Sequence, residues 1–455
     1  MKKIGVIGGG LSGLLISYLL LEGGGVSLSI FERESRFGGK IYTVREGGFL
    51  LENGPNGFLN SKPETLKIVK MLGIESELYE AEDSAEDRFI LKGGKLVKVP
   101  LSPEEFIFSP ILSPWGKLRL LGEFFKGVGE DESESVEDFV VRRLGREVFE
   151  RLIDPMVSGI YAGDPTRMEM KASFPVIYNL ERNYGGLLKG MFKIKRDRKD
   201  VSASPSGRLT TFKGGLSFFI DRISKEILDR GGKIFLNSSV KRVEKKEGGF
   251  YLYTQEESHY FDILIFAIPA YECGKLLRSV DPFFGRMAED VEYSPLVVVH
   301  FGYGKESLEG VPEGFGFLVP FIEGRKILGS IFISSIFKDG RAPDGMYLFT
   351  TMVGGARWMD VCRLSEGDIE SIVMKEFKEI LNISKSPHFK KIVKWERAIP
   401  QYNIGHSKTM EYARNFHKKN KNVYVMGNAF RGIGINDISK AAFEVFEEFL
   451  KVKNS

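Results

Sequence analysis

The feature that most constrains this chain lies within its first thirty-odd residues. Lys3-Ile-Gly-Val-Ile7 reads as a short buried strand, Gly8-Gly-Gly-Leu-Ser-Gly13 as a tight turn, Leu14 to Leu21 as a helix, and Val26-Ser-Leu-Ser-Ile-Phe31 as a second strand. Gly8, Gly10 and Gly13 hold the G-x-G-x-x-G positions, with Gly9, Leu11 and Ser12 between them. The first glycine makes the turn, the second lets a pyrophosphate approach the backbone, and the third lets helix and strand pack closely. The free N–H groups of the helix start then face the phosphates. Glu32, at the end of the second strand, is placed to accept a hydrogen bond from a ribose hydroxyl. Strand, glycines, helix, strand and acid in that order predict a bound dinucleotide. The run Ile4 to Leu21 carries no charge and follows two lysines, as a signal peptide would. Its glycines, and the lack of a small-residue cleavage site before Glu22, predict mature structure instead.

The next residues discriminate between nicotinamide and flavin. In a nicotinamide dehydrogenase the second strand leads straight into another crossover helix. Here Arg36-Phe-Gly-Gly-Lys40 follows, and Gly48-Phe-Leu-Leu-Glu-Asn-Gly-Pro-Asn-Gly57 adds a further glycine-rich turn. This continuation resembles the flavin-dependent amine oxidase superfamily, in which it runs beneath FAD. Near the other end, Asn422-Val-Tyr-Val-Met-Gly-Asn-Ala-Phe-Arg-Gly-Ile-Gly-Ile-Asn-Asp437 repeats the logic: a strand ends at Gly427, glycines permit close approach, and a helix begins. One cofactor clasped by both ends of the chain explains the pair better than two separate sites.

Composition removes several classes. Lys plus Arg total 65 against 61 Asp plus Glu, a formal charge of +4, which gives no ground for a nucleic-acid partner. Cys273 and Cys362 form no C-x-x-C pattern, and the five histidines lack metal spacing, so no metal is expected and a reducing, cytoplasmic setting fits. With 36 Phe and 52 Gly among 455 residues, a large apolar cavity and close backbone approaches are both expected.

Periodicity divides the chain into alternating pieces: a first part of the nucleotide domain over 1–80, a hairpin over 81–100, a helical insertion over 101–205, a second nucleotide part over 206–284, a mostly antiparallel sheet over 285–395, and the C-terminal nucleotide part over 396–455. The fold class is α/β, a Rossmann-like FAD-binding domain of the amine oxidase/p-hydroxybenzoate hydroxylase type joined to an antiparallel-sheet substrate domain. Within the insertion, Ser135 and Asp138 resemble a capping box starting a helix from Val136 to Arg151. Lys189, Lys193, Lys195, Arg196, Arg198 and Lys199 form a basic cluster near Met191 and Phe192, readable as a solvated loop or as attraction to anionic lipid headgroups. No uncharged run there is long enough to span a bilayer. The segment could lie on one, peripherally on the inner face of the cell membrane.

Over essentially its whole length the chain resembles the porphyrinogen oxidases of haem biosynthesis, the protoporphyrinogen oxidase family with its coproporphyrinogen III oxidase relatives. The resemblance rests on Leu152-Ile-Asp-Pro-Met-Val-Ser-Gly-Ile-Tyr-Ala-Gly-Asp-Pro165 with Phe174-Pro175, on Gly314-Phe-Gly-Phe-Leu-Val-Pro320, on Ile399-Pro-Gln-Tyr-Asn-Ile-Gly-His406, and on Gly427-Asn428 with Gly432 to Asp437. It implies FAD contacts at Gly8, Gly9, Gly10, Leu11, Ser12 and Gly13 for the pyrophosphate and at Glu32 and Arg33 for the ribose. Gly39, Lys40, Gly54, Pro55, Asn56 and Gly57 fall on the flavin side, and Val240 on the adenine side. Gly427, Asn428, Ile433, Gly434 and Ile435 fall at the isoalloxazine end. It also implies that Arg88 pairs with a substrate propionate, that Phe315, Leu318, Ile331 and Met352 sandwich the macrocycle, and that Gly159 turns its backbone to the ring.

The implied reaction is oxidation of a porphyrinogen by repeated hydride transfer to the flavin, with molecular oxygen or another acceptor taking the electrons. No side chain is expected to act as a catalytic acid or base. A flavin amine oxidase, a carotenoid desaturase and a non-catalytic FAD-binding membrane protein remain as alternatives, and a homodimer is left open.

Overall fold

The computed structural model describes residues 1–197 and 207–453. Arg198 and Lys199 of the basic cluster lie outside the described residues. Two sheets organise the rest. The first is parallel and five-stranded, in the order Lys233–Phe235, Val26–Phe31, Lys2–Ile7, Ile263–Phe266, Val423–Val425. Its strands alternate between two cores, as a sheet covered on both faces requires. Ile4, Val6, Leu28, Ile30 and Ile265 face helices Leu11–Glu22, Leu216–Asp229 and Ile435–Lys453. Ile7, Phe31, Leu264 and Phe266 face the three-stranded layer Arg242–Lys246, Gly249–Tyr253, Ser258–Phe261 with helices Ala270–Leu277 and Pro282–Glu289. The uncharged N-terminal run is thereby explained: helix Leu11–Glu22 is buried along its length from Leu11 to Leu20, wedged between the sheet and its neighbours.

The second sheet has seven strands, in the order Phe389–Pro400, Tyr293–Gly304, Met346–Gly354, Ile327–Phe332, Gly316–Leu318, Arg88–Lys92, Lys95–Lys98. Every pairing is antiparallel except Gly316–Leu318 with Arg88–Lys92. The hairpin read from sequence therefore supplies the two strands at one edge. Helix Glu366–Leu381 covers one face, packing Ile369, Val373 and Phe377 on Val297, Phe301, Phe349 and Val353. The edge strand Phe389–Pro400 was not anticipated. It is largely half-exposed and carries Lys390, Lys391, Lys394, Glu396 and Arg397, so no apolar alternation announces it.

The helical insertion differs in one respect from expectation. Ser135 does cap its helix, accepting the Asp138 N–H at 3.0 Å, but the helix stops at Arg143. Gly145 takes a left-handed φ of +99°, and the chain re-enters through a short turn and a π-helical segment, Phe149–Ile153, into helix Asp154–Tyr161. Beyond the break, helix Asp154–Tyr161 packs against strands Gly316–Leu318 and Ile327–Phe332 of the second sheet.

Candidate active site

The glycine turn has the geometry a dinucleotide needs. Gly8 has φ +108°, and a Cβ on Gly13 would lie 2.0 Å from the Gly8 carbonyl oxygen, so neither position accepts a side chain. Gly10 differs. Its φ is −73°, it caps helix Leu11–Glu22, and a Cβ there would meet nothing within 4 Å. The open space thus lies at the unpaired N–H groups of Leu11, Ser12 and Gly13. Glu32 is buried beside the turn, accepting the Gly9 N–H at 2.7 Å and the Glu34 N–H at 2.9 Å. Each carboxylate oxygen keeps a second lone pair for ribose hydroxyls. Arg33 is exposed and paired with Glu34 at 3.0 Å. Val240 packs on the core that includes Phe31.

The second glycine-rich stretch is folded against the first. Gly38 N–H donates to the Gly9 carbonyl at 2.9 Å, and Gly39 sits over the Cα of Gly10. Lys40 donates to the Ala398 carbonyl and stands 5.0 Å from the Tyr293 ring; burial, with Arg33 adding repulsion, pushes its ammonium down to about 8. A Cβ on Gly54 would lie 2.0 Å from the Lys40 carbonyl, and one on Gly57 2.5 Å from that of Thr210, so this loop is held backbone to backbone. Pro55 and Asn56 are half-buried between them, and the Asn56 Oδ1 is buried without a partner.

The C-terminal stretch reaches the same end of the parallel sheet. Val423–Val425 pairs with Ile263–Phe266, which pairs with Lys2–Ile7, all in parallel, so the turns after Ile7 and Val425 open at the same end of the sheet, one strand apart, where such sheets bind ligands. The Tyr402 hydroxyl donates to the Asn428 carbonyl. Ile433 and Gly434 are half-buried, and Ile435 begins a helix whose Asn436 donates to the Leu59 carbonyl at 2.8 Å. Open space at a helix N-terminus and a buried carboxylate held beside the glycine turn both fit FAD.

The second sheet brings the candidate substrate residues together through register. Arg88 stands opposite Gly316, Gly316 opposite Ile331, and Ile331 opposite Thr350; Leu318 stands opposite Gly329, and Gly329 opposite Met352. Because directly paired residues share a face, Arg88, Leu318, Ile331 and Met352 lie together, on the face opposite Phe317, Phe349 and Val353. Phe315, just before its strand, has the Arg88 guanidinium 5.2 Å above its ring. Helix Asp154–Tyr161 closes on this face: a Cβ on Gly159 would come within 2.8 Å of Leu318 Cδ2. Arg357 anchors that helix, binding Asp154 at 2.6 Å and Asp164 at 3.2 Å.

Sequence reasoning passed over several polar groups. His300, on the same face as Met352, is fully buried with Nδ1 on Thr350 Oγ1 at 3.0 Å, and burial lowers its imidazole to about 3. Burial also holds His406 at about 4 and raises Tyr402 well above the usual phenol range. Glu52 lay within the stretch singled out for its glycines, yet its buried pairing with distant Arg341 leaves no local signal. Among the described residues no cluster of His, Cys, Asp or Glu could hold a metal ion.

A nucleotide-binding parallel sheet completed from both ends of the chain, joined to a second sheet presenting an apolar face, defines a flavoprotein oxidoreductase. Residues 11–437 match the flavin containing amine oxidoreductase family, and the chain belongs to it. It is an FAD-dependent oxidoreductase. Among its relatives, protoporphyrinogen oxidase 1 of Arabidopsis thaliana chloroplasts is 32% identical, over 96% of this chain and 86% of that protein. Coproporphyrinogen III oxidase of Bacillus subtilis is 26% identical, over 96% of this chain and 95% of that one. A crystal structure from Exiguobacterium sp. 255-15, assigned as a protoporphyrinogen oxidase, superposes with a TM-score of 0.83 at 23% identity, covering 98% of each chain.

Proposed function

We propose that this enzyme oxidises a porphyrinogen in haem biosynthesis, protoporphyrinogen IX to protoporphyrin IX, with oxygen as the electron acceptor. The observation that carries the reading is the shared face of Arg88, Leu318, Ile331 and Met352, with Gly159 closing over Leu318. A porphyrinogen is a broad apolar ring with anionic propionates at one side. Three aliphatic side chains offer the ring a surface. Arg88 at the exposed strand start offers a propionate a planar, bidentate partner, and its stacking on Phe315 restricts the guanidinium before substrate arrives.

Bound FAD supplies a two-electron hydride acceptor. The work left to the chain is orientation and exclusion of water. On this face His300 is neutral and tied to Thr350, so it does not serve as a base near neutral pH. The ring N–H protons then leave to solvent or to backbone carbonyls. On this face Arg88 stands nearest Phe315 and the Gly316–Leu318 strand, where a propionate of a ring lying on Leu318 and Ile331 would reach it. The second reading, coproporphyrinogen III, is favoured by the relative from Bacillus subtilis. Arg88→Ala tests the docking: it raises KM for the porphyrinogen roughly 10- to 100-fold, the loss of one hydrogen bond to a charged group, and Arg88→Lys recovers part of the loss. An unchanged KM removes the arginine from the site.

The helical insertion completes the proposal by resting on an anionic membrane surface. Trp115, Leu118 and Leu121 on helix Pro114–Leu121, followed by Phe124, Phe125 and Val128, turn apolar side chains to solvent beside Lys126, Lys189 and Lys193. No helix among the described residues is long and apolar enough to cross a bilayer, so an interfacial position is the one this composition suits. Flotation with phosphatidylglycerol vesicles, lost in Trp115→Ser/Phe125→Ser and in neutral vesicles, supports it. Equal recovery with both vesicle types overturns it.

A further inference from the structure

Beside Asn56 of the loop Gly54–Gly57 lies a small chamber with about 10 Å³ of room, lined by the polar side chains of Glu52, Asn56, Arg341 and Thr350 and walled by Leu50 and Phe337. That volume admits one water molecule. Two of the polar groups lack any partner: the Asn56 Oδ1 and the Nη1 of Arg341. Arg341 is 2% exposed, and its Nη1 stops 3.8 Å from Glu52 Oε1, too far for a direct hydrogen bond. The other contacts are already made. Glu52 Oε1 accepts the Leu216 N–H at 2.8 Å, its Oε2 accepts the Thr43 hydroxyl at 2.8 Å, and Arg341 Nη2 donates to the Phe212 carbonyl at 3.0 Å. What is missing is one group that accepts from Arg341 and donates to both Glu52 and Asn56. A water does this with one lone pair and two hydrogens.

We infer that the chamber holds one bound water bridging Glu52, Arg341 and Asn56, and that through it Glu52 is a positioning residue for the loop Gly54–Gly57. The inference rests on our reading that this loop lies beside the flavin. Asn56 is in the middle of the loop, so the water fixes its amide, and the ion pair behind it sets the local field.

That field is adjustable. Burial raises the Glu52 carboxyl to about 7, against the opposing pull of the Leu216 N–H, the Thr43 hydroxyl and Arg341. The charged groups around it are few. Arg341 faces it directly, Arg45 and Tyr79 act on Arg341, and His300 beyond Thr350 stays neutral. Protonation near neutral pH replaces a buried ion pair by a lone guanidinium, one unit of charge close to the flavin subsite.

The test is a pH titration of the purified holoenzyme, following the visible absorption of bound oxidised FAD between pH 5.5 and 8.5. The wild type shows a band shift with a midpoint near 7. Glu52→Gln keeps FAD and loses the shift. Thr43→Val, which removes a hydrogen bond to the carboxylate, moves the midpoint upward by roughly half a unit and serves if the first variant fails to fold. A flat wild-type profile, or a Glu52→Gln profile like that of the wild type, overturns the inference, as does a high-resolution structure with a dry chamber. Porphyrinogen turnover is measured on the same preparations. Flavin that responds to pH in a protein that turns over no porphyrinogen removes the substrate reading and leaves this one standing.

Discussion

The first glycine turn yields a prediction in which two neighbouring alanine substitutions part company. At Gly13 an added Cβ would sit 2.0 Å from the Gly8 carbonyl oxygen, a backbone atom that cannot swing aside. Gly13→Ala therefore destabilises the protein itself by about 1–3 kcal/mol or more, with or without cofactor. At Gly10 the φ of −73° is ordinary for alanine, and the Cβ would enter open space. Reducing the freedom of the unfolded chain stabilises by about 0.4–1 kcal/mol, and the weaker helix cap offsets a similar amount. The apoprotein of Gly10→Ala thus keeps its stability within about 1 kcal/mol of wild type. That same open space is where we propose that the pyrophosphate approaches the helix start. Displacing it from a single charge-assisted hydrogen bond costs about 1.5–3 kcal/mol, roughly a 10- to 150-fold rise in the FAD dissociation constant. Urea unfolding of both apoproteins, with FAD titration followed by quenching of flavin fluorescence, separates the two effects. Wild-type affinity in Gly10→Ala would refute the placement of the phosphates.

Three further outcomes follow from burial. The depressed imidazole of His300, about 3, means that its contribution to stability is present above the unfolded value of 6.5 and is lost as pH falls below it. Urea unfolding should show the advantage of wild type over His300→Asn shrinking by about 2 kcal/mol between pH 7.5 and pH 5; Glu52, raised to about 7, acts in the opposite sense but is common to both proteins. Of the two thiols, Cys273 is fully buried and its ionisation is pushed up by burial, whereas Cys362 is half-buried. A thiol reagent should modify Cys362 in the native protein and Cys273 only on unfolding, and equal rates would contradict the core packing. Gly159→Val should press on Leu318, already within 2.8 Å of an added Cβ, and lower porphyrinogen turnover at least tenfold with FAD binding intact. Unaltered turnover would take helix Asp154–Tyr161 away from the substrate.

What the sequence disclosed and what it hid divide along the range of the interactions. The turn at Gly8 to Gly13 and the hairpin around Gly93 and Gly94 were legible because each is settled by neighbouring residues: apolar runs, glycines and, for the Ser135 cap, one hydroxyl at the right spacing. The edge strand Phe389–Pro400 was hidden because it is held by pairing with Tyr293–Gly304 rather than by its own pattern. The break after Arg143 was hidden because Gly145 is one glycine among many until its φ is seen. At the candidate site, motif positions could be named, but the Glu52–Arg341 chamber joins residues that nothing local connects. In the insertion, attention falls on the lysines and arginines, whereas the sharper feature is the outward face of Trp115, Leu118 and Leu121, since exposure cannot be read from a run of letters.

The central claim is that the flavin gripped by both ends of the chain is reduced by a porphyrinogen lying on the second sheet. Anaerobic mixing of the yellow holoenzyme with protoporphyrinogen IX, and separately with coproporphyrinogen III, tests it most directly. The account predicts bleaching of the flavin band with the rise of porphyrin fluorescence, faster with protoporphyrinogen IX, and recovery of the yellow colour with peroxide release when oxygen is admitted. A flavin that stays oxidised in the presence of both porphyrinogens contradicts it.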